Sequence, residues 1–386
     1  MNRLRRPSAQ APGAGRRCLA GLFLLTACLA SPAAVAADWY LVQGILDAEL
    51  YFSDSDSPLL TRNGGDPAGL GRLQLWAALE LAPDWQFYAQ GEAESGNFEG
   101  YGESDADLEQ VALRYTHAAS PWFYFEAGKI LSPLVAYSDR RLSNQNPLIG
   151  QPYLYTTGYP WGAKLVGAFG VFDYQIAWID PSGNDPEYQI IEPDSAFRPA
   201  LGAGITPFTG LRFGLSWSEG PYLGSAISNN LPAGTHWRDY QQSLLGVDVQ
   251  FARGYLEFNG QWLRSHYELP YGGTTPDSDS YYLELKYTWT PRLYSALRYQ
   301  DVELTYVDNP VYHRWYAETR SFRELEIGLG YRFSPDLLLK AVYETDHWDD
   351  PGYGYPSDAR GHAKGHALGL QLSWFFDLVS LLSDPS

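Results

Sequence analysis

Segments of about ten residues in which apolar and polar side chains strictly alternate recur along most of this chain. In the segment 46–52, Leu, Ala, Leu and Phe stand at the even positions, and Asp, Glu and Tyr stand at the odd positions. A period of two places the two sets on opposite faces of a β-strand. A long series of such strands, with no helical blocks between them, is typical of a barrel whose outside meets lipid and whose inside meets water.

The connections between these segments are alternately short and long. The short ones contain Pro or Gly, which suit tight turns: 82–84, 120–121, 206–207, 290–291 and 334–335, with equivalents near Gly170 and Gly254. The long ones are rich in Gly, Asp, Asn, Ser and Tyr: 53–69, 95–106, 130–160, 180–197, 219–240, 266–279, 304–320 and 346–362. Short turns at one rim and long loops at the other are typical of bacterial outer-membrane barrels.

Between the connections lie about sixteen predicted strands, an even number that suits such barrels. Their approximate ranges are 44–52, 70–81, 85–94, 107–115, 122–129, 161–168, 172–179, 198–205, 211–218, 242–251, 255–264, 280–288, 293–303, 321–333, 337–345 and 365–376. We therefore predict an all-β protein, a closed antiparallel transmembrane β-barrel with short periplasmic turns and long extracellular loops, over residues 38–376.

Charged residues fall almost entirely on one face of these strands, and aromatic residues cluster at the strand ends. Trp85 and Trp122 lie beside short turns, whereas Trp217 and Trp262 lie beside long loops, as interfacial girdles require. The last strand, 365–376, alternates to an aromatic end, as in outer-membrane barrels. The alternative is a soluble β-sandwich or barrel with its apolar face inward.

The N-terminal residues 1–37 predict a secretory signal peptide. Five arginines precede an apolar run over 18–29, which ends in small residues at 33–37. That run is too short to span a bilayer. An alternative is the lipobox-like segment 25–28, in which Cys28 would be kept and acylated. The prediction is cleavage near Ala37, which leaves a barrel and a C-terminal tail over 377–386.

Composition excludes several classes of site. Both cysteines, Cys18 and Cys28, lie in the predicted signal peptide, so disulfides, thiol nucleophiles, thiolate zinc sites and iron–sulfur clusters are excluded from the mature chain. The mature chain carries 22 basic against 45 acidic residues once the five signal arginines are removed. Such acidity repels nucleic acid. No glycine-rich phosphate loop stands between a strand and a helix, so we expect no cofactor.

The longest connection, 130–160, is the third long one. A barrel of about sixteen strands is too wide for wall side chains to fill, so it leaves an aqueous channel unless a loop enters. Here the chain resembles bacterial porins, whose third extracellular loop folds into the lumen and narrows it. Gly128, Lys129 and Pro133 resemble the Gly-Lys/Arg-x-x-x-Pro stretch of phosphate-selective O/P-type and related porins. The resemblance implies a diffusion channel for small hydrophilic solutes or ions, constricted by loop 130–160. The loops show no lysine cluster that would imply phosphate selectivity.

In a porin the field at the constriction controls passage. The candidate cations are Lys129, Arg140, Arg141, Lys164, Arg72, Arg114, Arg212 and Arg298. The candidate anions are Asp47, Glu49, Glu80, Glu92, Asp173, Asp248, Glu257 and Glu284. Each of these could instead be a lumen charge paired with a neighbour. Net acidity raises the local concentration of cations, so we expect weak cation preference.

The remaining candidates are weaker. Acidic residues of the outer loops have no calcium-loop spacing, so we expect a solvated surface and no metal: Asp54, Asp56, Asp66, Glu99, Glu103, Asp105, Asp346, Asp349, Asp350 and Asp358. His362 and His366 share a strand face but lack a third ligand. His117 and Ser120 share a short turn without a visible catalytic partner, so we expect that the protein is not an enzyme.

Two alternative functions stay open. One is an outer-membrane hydrolase, and the other is a structural or adhesive barrel without an open channel. The expected partners are outer-membrane lipid, lipopolysaccharide and small solutes, with monomer and homotrimer both open.

Overall fold

The chain forms one closed ring of strands in a computed structural model. The structure describes residues 40–54, 67–96, 104–117, 122–134, 142–152, 159–180, 197–223, 228–229, 231–270, 277–308, 316–349 and 362–379. The predictions for the signal peptide, the lipobox and residues 380–386 fall outside this part. So do those for Arg140, Arg141, Ser120 and the acidic residues Asp56, Asp66, Glu99, Glu103, Asp350 and Asp358.

Sixteen strands run through the described residues. They are β1 (Tyr40–Ser53), β2 (Ala68–Ala82), β3 (Trp85–Gly96), β4 (Ser104–Tyr115), β5 (Phe123–Lys129), β6 (Trp161–Phe169), β7 (Phe172–Ile179), β8 (Arg198–Phe208), β9 (Leu211–Pro221), β10 (Gln241–Arg253), β11 (Leu256–Tyr267), β12 (Asp277–Thr288), β13 (Leu293–Asp308), β14 (Tyr316–Ser334), β15 (Leu337–Asp349) and β16 (His362–Asp377).

Each strand pairs antiparallel with its neighbours in the chain, and β1 closes the ring by pairing with β16, where Leu46 lies opposite Trp374. The predicted closed barrel of sixteen antiparallel strands is confirmed, and every predicted strand overlaps an observed one. Ring closure leaves no sheet edge along the body of the wall. The described residues contain no helix that is long and apolar enough to cross a membrane.

The two faces separate as predicted. Outward side chains such as Ile327 and Leu329 expose 51% and 55% of their surface, although both are aliphatic. Inward neighbours on the same strand, such as Glu324 and Glu326, are buried. The alternative of a soluble barrel with its apolar face inward is wrong, because the apolar set covers the outside.

Several strands continue beyond the predicted ends at the long-loop rim. β14 starts at Tyr316 rather than 321, and β15 runs to Asp349 rather than 345. β4 likewise starts at Ser104 rather than 107. The prediction that Asp105, Asp346 and Asp349 lie in outer loops is therefore wrong. Apolar alternation reveals only the part of a strand that has an apolar outer face. Backbone hydrogen bonds between strands do not depend on the side chains, so the strands continue beyond that part.

The wall is uneven in height. β5, β6 and β7 have 7, 9 and 8 residues, whereas β13 and β14 have 16 and 19. At the top of the tall side, 304–308 pair with 316–320 in the register between β13 and β14. The registers with β12 and β15 stop lower, at Asp301 and Ser321. Within the described chain, these ten residues form a two-stranded ribbon above the barrel.

Candidate pore constriction

The described tip of the long connection between β5 and β6, residues 142–150, lies against the inner wall on the far side of the barrel. Its contacts reach β1, β13, β14 and β15, and β13 stands eight strands from β5 in the ring of sixteen. The connection therefore crosses the lumen from one side to the other. We call residues 142–150 the crossing segment.

Wall side chains hold the crossing segment mainly through its carbonyl groups. The Tyr294 hydroxyl donates to the Pro147 carbonyl at 3.1 Å, and Lys340 Nζ donates to the Leu148 carbonyl at 2.9 Å. Arg332 donates to the Asn144 carbonyl at 3.2 Å. Such bonds satisfy backbone acceptors that a loop inside a barrel cannot satisfy through a sheet.

Two side chains of the crossing segment add bonds of their own. Ser143 Oγ donates to Asp47 Oδ1 at 2.7 Å, and Asn146 Oδ1 accepts from Arg298 Nη2 at 2.9 Å. Asn146 also donates to the Gly150 carbonyl and accepts from the Leu148 amide, so it fixes the local turn. The segment is thus tied to strands on both sides of the β1–β16 seam.

Apolar contacts support both parts of the connection. Ile130 and Leu134, which follow β5, are buried in a cluster with inward residues of β7, β8, β10 and β11, such as Ile179 and Leu244. Leu148 and Ile149 are buried in a second cluster with three wall residues: Tyr51, Ala296 and Val342. The inner wall therefore has two apolar patches, each covered by part of the connection.

Inward glycines leave room for the connection. A Cβ on Gly328 of β14 would lie 2.5 Å from Leu148 Cδ2 and 2.9 Å from Val342 Cγ2. Similarly, a Cβ on Gly202 of β8 would lie 3.2 Å from the Pro133 carbonyl oxygen. These strand positions gain from having no side chain, because another part of the chain approaches closely.

Replacing Gly328 by Val is expected to lower the free energy of unfolding by about 1–3 kcal/mol, because the fully buried Leu148 must move. The measurement is urea unfolding of the barrel in lipid vesicles. The matched control is Gly71→Val on β2, where the nearest atom to a new Cβ is 3.9 Å away. Equal effects of the two substitutions would contradict the seating of Leu148 on Gly328.

Most of the candidate charges meet in ion pairs on the inner wall. Arg72 of β2 lies 3.4 Å from both Glu49 of β1 and Glu94 of β3, and 3.7 Å from Glu92. Glu49 also accepts hydrogen bonds from Tyr51 and Gln371 at 2.7 and 2.6 Å. This group places three carboxylates around one guanidinium.

Two further groups line the wall from β4 to β10. Arg114 Nε donates to Glu126 at 2.8 Å, and Lys164 Nζ lies 3.1 Å from the same carboxylate. Arg212 of β9 bridges Asp173 at 2.6 Å and Asp248 at 2.8 Å. Cations in these groups are shared with carboxylates on neighbouring strands.

The group nearest the crossing segment is centred on Arg298 of β13. Its guanidinium lies 2.8 Å from Glu284 of β12 and 2.7 Å from Glu326 of β14, and all three side chains are 97% or more buried. The same guanidinium donates to Asn146. Beside it, Lys286 forms a more exposed pair with Glu257 at 2.7 Å.

Of the remaining candidates, Lys129 donates to the Leu108 carbonyl at 2.6 Å, and Glu80 lies two residues before the end of β2. The sequence reasoning missed Glu126, Lys340 and Asn146. Glu126 and Lys340 could have been found from the sequence, because the alternation of β5 and β15 places both at inward positions. Asn146 carries no such signal, because nothing in a loop sequence reports which wall it touches.

At the long-loop rim, part of the connection between β9 and β10 folds on itself. Tyr222, Leu223, Trp237 and Tyr267 form a buried cluster. The Tyr222 hydroxyl donates to the Glu268 carbonyl at 2.9 Å, and burial raises the pKa of Tyr222 above its usual range. Tyr222 therefore stays a neutral donor at physiological pH.

Comparisons with known proteins support the same architecture. No protein-family profile and no curated protein matches this sequence. Solved structures do match along nearly their whole length. An anion-selective porin from Comamonas acidovorans is 13% identical, with a TM-score of 0.57 over 88% of this chain and 99% of that one. This chain has the porin fold.

Two further structures share the porin fold. OmpF of Salmonella typhi, in complex with daunomycin, is 10% identical, with a TM-score of 0.58 over 87% of this chain and 97% of that one. A loop-deletion mutant of OmpT, an outer membrane protein of Vibrio cholerae, is 13% identical, with a TM-score of 0.56 over 88% and 99%. At these sequence identities the similarity shows a shared fold alone.

The weaker candidates do not form a site within the described residues. His117 faces Asp84 at 3.6 Å near the short-turn rim, and the predicted partner Ser120 lies outside the described part. His366 of β16 contacts the hydroxyl of Tyr343 at 3.0 Å on the outer face. The side chain of His362 also lies outside that part.

Proposed function

We propose that this protein is an outer-membrane porin, a passive channel for small hydrophilic solutes or ions, and not an enzyme. The observation that carries the proposal is the connection between β5 and β6, whose crossing segment is anchored on the opposite inner wall of a closed ring. The apolar exterior and the porin fold support it. On this proposal residues 1–37 direct export, lipid and lipopolysaccharide surround the barrel, and loop 130–160 narrows the pore.

The charge groups favour weak cation selectivity. Around Arg72 three carboxylates face one guanidinium, and Arg298 is shared by Glu284 and Glu326. Cations tied into such pairs attract passing anions little, whereas the excess carboxylates attract mobile cations. The lumen should therefore enrich cations at its narrowest part.

Planar-bilayer recording of the purified protein is expected to show stepwise conductance, with a reversal potential in a KCl gradient that indicates preference for K⁺ over Cl⁻. The double substitution Glu92→Gln and Glu94→Gln is expected to reduce that preference by removing two lumen charges beside Arg72. Absence of conductance would favour a structural or adhesive barrel with a blocked lumen. Preference for Cl⁻ would refute the proposed selectivity alone.

The outward aromatic and aliphatic side chains can serve lipid and a subunit interface equally well. We therefore include a homotrimer in the proposal. A structure with the same fold, OmpT from Vibrio cholerae, has been solved in a trimer form, which supports it. Sedimentation equilibrium in density-matched detergent distinguishes one barrel from three.

A further inference from the structure

Three carboxylates converge on the inner wall where β14 meets β15. Glu324 and Glu326 project inward from β14, and Glu344 lies opposite Glu326 on β15. One oxygen from each side chain lies within 4.8 Å of the others. The cluster stands beside Arg298, at mid-height of the tall side of the wall.

The charges around this cluster do not balance. Glu284, Glu324, Glu326 and Glu344 crowd around one guanidinium, and Arg298 already divides its donors between Glu284 and Glu326. Glu324 and Glu326 expose only 3% and 2% of their surface. Buried carboxylates need compensation by a counter-charge or a proton, because desolvation strongly penalises an unpaired charge.

A second observation points to a missing positive group. Glu324 uses one oxygen to accept a hydrogen bond from Gln300, and Glu326 uses one to accept from Arg298. The other oxygen of each carboxylate, Oε2, is fully buried and meets no hydrogen-bond donor among the described groups. Two buried carboxylate oxygens thus stand without a donor in the same cluster when these groups are ionised.

We propose that Glu324, Glu326 and Glu344 bind a calcium ion in the lumen wall. Calcium takes six to eight oxygen ligands at about 2.3–2.6 Å, so two ligands on opposite sides of it stand at most about 5 Å apart. The 4.8 Å limit on the oxygens fits this sphere. Magnesium demands a near-ideal octahedron at about 2.0–2.1 Å and usually keeps several of its waters, whereas calcium accepts irregular carboxylate ligation, so we expect calcium to be preferred. Water can complete the coordination from the side of Glu344, which is the least buried of the three.

The position of the site connects it to the loop. Arg298 contacts both Glu326 and Asn146 of the crossing segment. An ion that neutralises the three carboxylates reduces their pull on Arg298, which leaves its guanidinium to hold Glu284 and Asn146. Calcium should therefore stabilise the anchored form of the crossing segment.

The test is calcium binding by the full barrel in detergent, measured by equilibrium dialysis with ⁴⁵Ca²⁺ after chelator treatment. The variant Glu324→Gln with Glu344→Gln removes two ligands and leaves both ion pairs of Arg298 in place. The matched control is Glu92→Gln with Glu257→Gln, which removes the same charge elsewhere on the wall. We expect one calcium per barrel in the wild type and the control, bound at least about tenfold more weakly in the variant.

Equal binding by wild type and variant, or no saturable calcium in the wild type, would overturn the site and leave protons as the compensating charge. If the double variant fails to fold, Glu344→Gln alone provides the same comparison. Thermal unfolding with calcium, magnesium or chelator is a second readout, and calcium should raise the melting temperature of the wild type and control only. Conductance is recorded separately, so a barrel that binds calcium without conducting would refute the porin proposal alone.

Discussion

Replacing residues 142–150 with a Gly-Ser segment of equal length is expected to raise single-channel conductance roughly twofold or more. The connection starts at β5 and reaches the opposite wall at β13, where hydrogen bonds with the wall hold the crossing segment. Conductance is limited by the narrowest cross-section. A Gly-Ser segment keeps its carbonyl groups but loses the apolar contacts of Leu148 and Ile149 and the hydrogen bonds of Ser143 and Asn146. We expect the carbonyl contacts alone to be too weak to hold a flexible linker against the far wall, so the connection should clear the pore.

The matched control replaces residues 231–239, in the connection between β9 and β10, with the same linker. That segment lies in the long-loop connection that packs at the rim, so the conductance is expected to change little. Partition of uncharged sugars of increasing size should show a larger cut-off for the first replacement only. Unaltered conductance and cut-off after replacement of 142–150 would show that another part of the barrel sets the constriction.

Replacing Arg298 by Met is expected to lower the free energy of unfolding by about 3–5 kcal/mol. The substitution leaves Glu284 and Glu326 buried without their shared cation, and it removes the bond to Asn146. Removal of one partner of a buried ion pair costs far more than the pair itself contributes. Urea unfolding in lipid vesicles measures the loss.

Two controls separate the charge effect from packing. The triple variant Arg298→Met, Glu284→Gln and Glu326→Gln removes the uncompensated charges and should recover much of the loss. Lys286→Met breaks the more exposed pair with Glu257 and should cost about 1 kcal/mol or less. If Arg298→Met costs no more than Lys286→Met, the buried network is not the main anchor of the loop.

The number, order and faces of the strands could be predicted because each depends on local pattern. Alternation at Ile327 and Leu329 reports which side chains face outward, and Pro or Gly reports where the chain turns. The upper parts of β13 to β15 escaped prediction because the sequence there lacks an apolar set at outward positions. In β15, for example, the neighbouring outward residues are His347 and Asp349, which lie 3.5 Å apart. Strands can therefore stay hydrogen-bonded where the sequence no longer alternates between apolar and polar residues.

The charge groups could be predicted only in part. Alternation places Arg298, Glu284 and Arg72 on the inner face, but it does not reveal which cation meets which carboxylate, since that depends on register. The loop anchors were harder still, because Lys340 and Tyr294 lie roughly 190 and 150 residues along the chain from the carbonyls they bind. Contacts at such separation leave no local signal.

The ribbon above β13 and β14 has a dynamic consequence. Residues 304–308 and 316–320 have ladder partners only in each other within the described chain, whereas 293–301 are paired on both sides over most of their length. Opening the ribbon breaks a few local hydrogen bonds and leaves the ring intact, but opening the lower part requires the ring to break. Amide protons above Glu303 should therefore exchange with deuterated solvent through fraying of one hairpin, and those below it only through rupture of the whole cylinder.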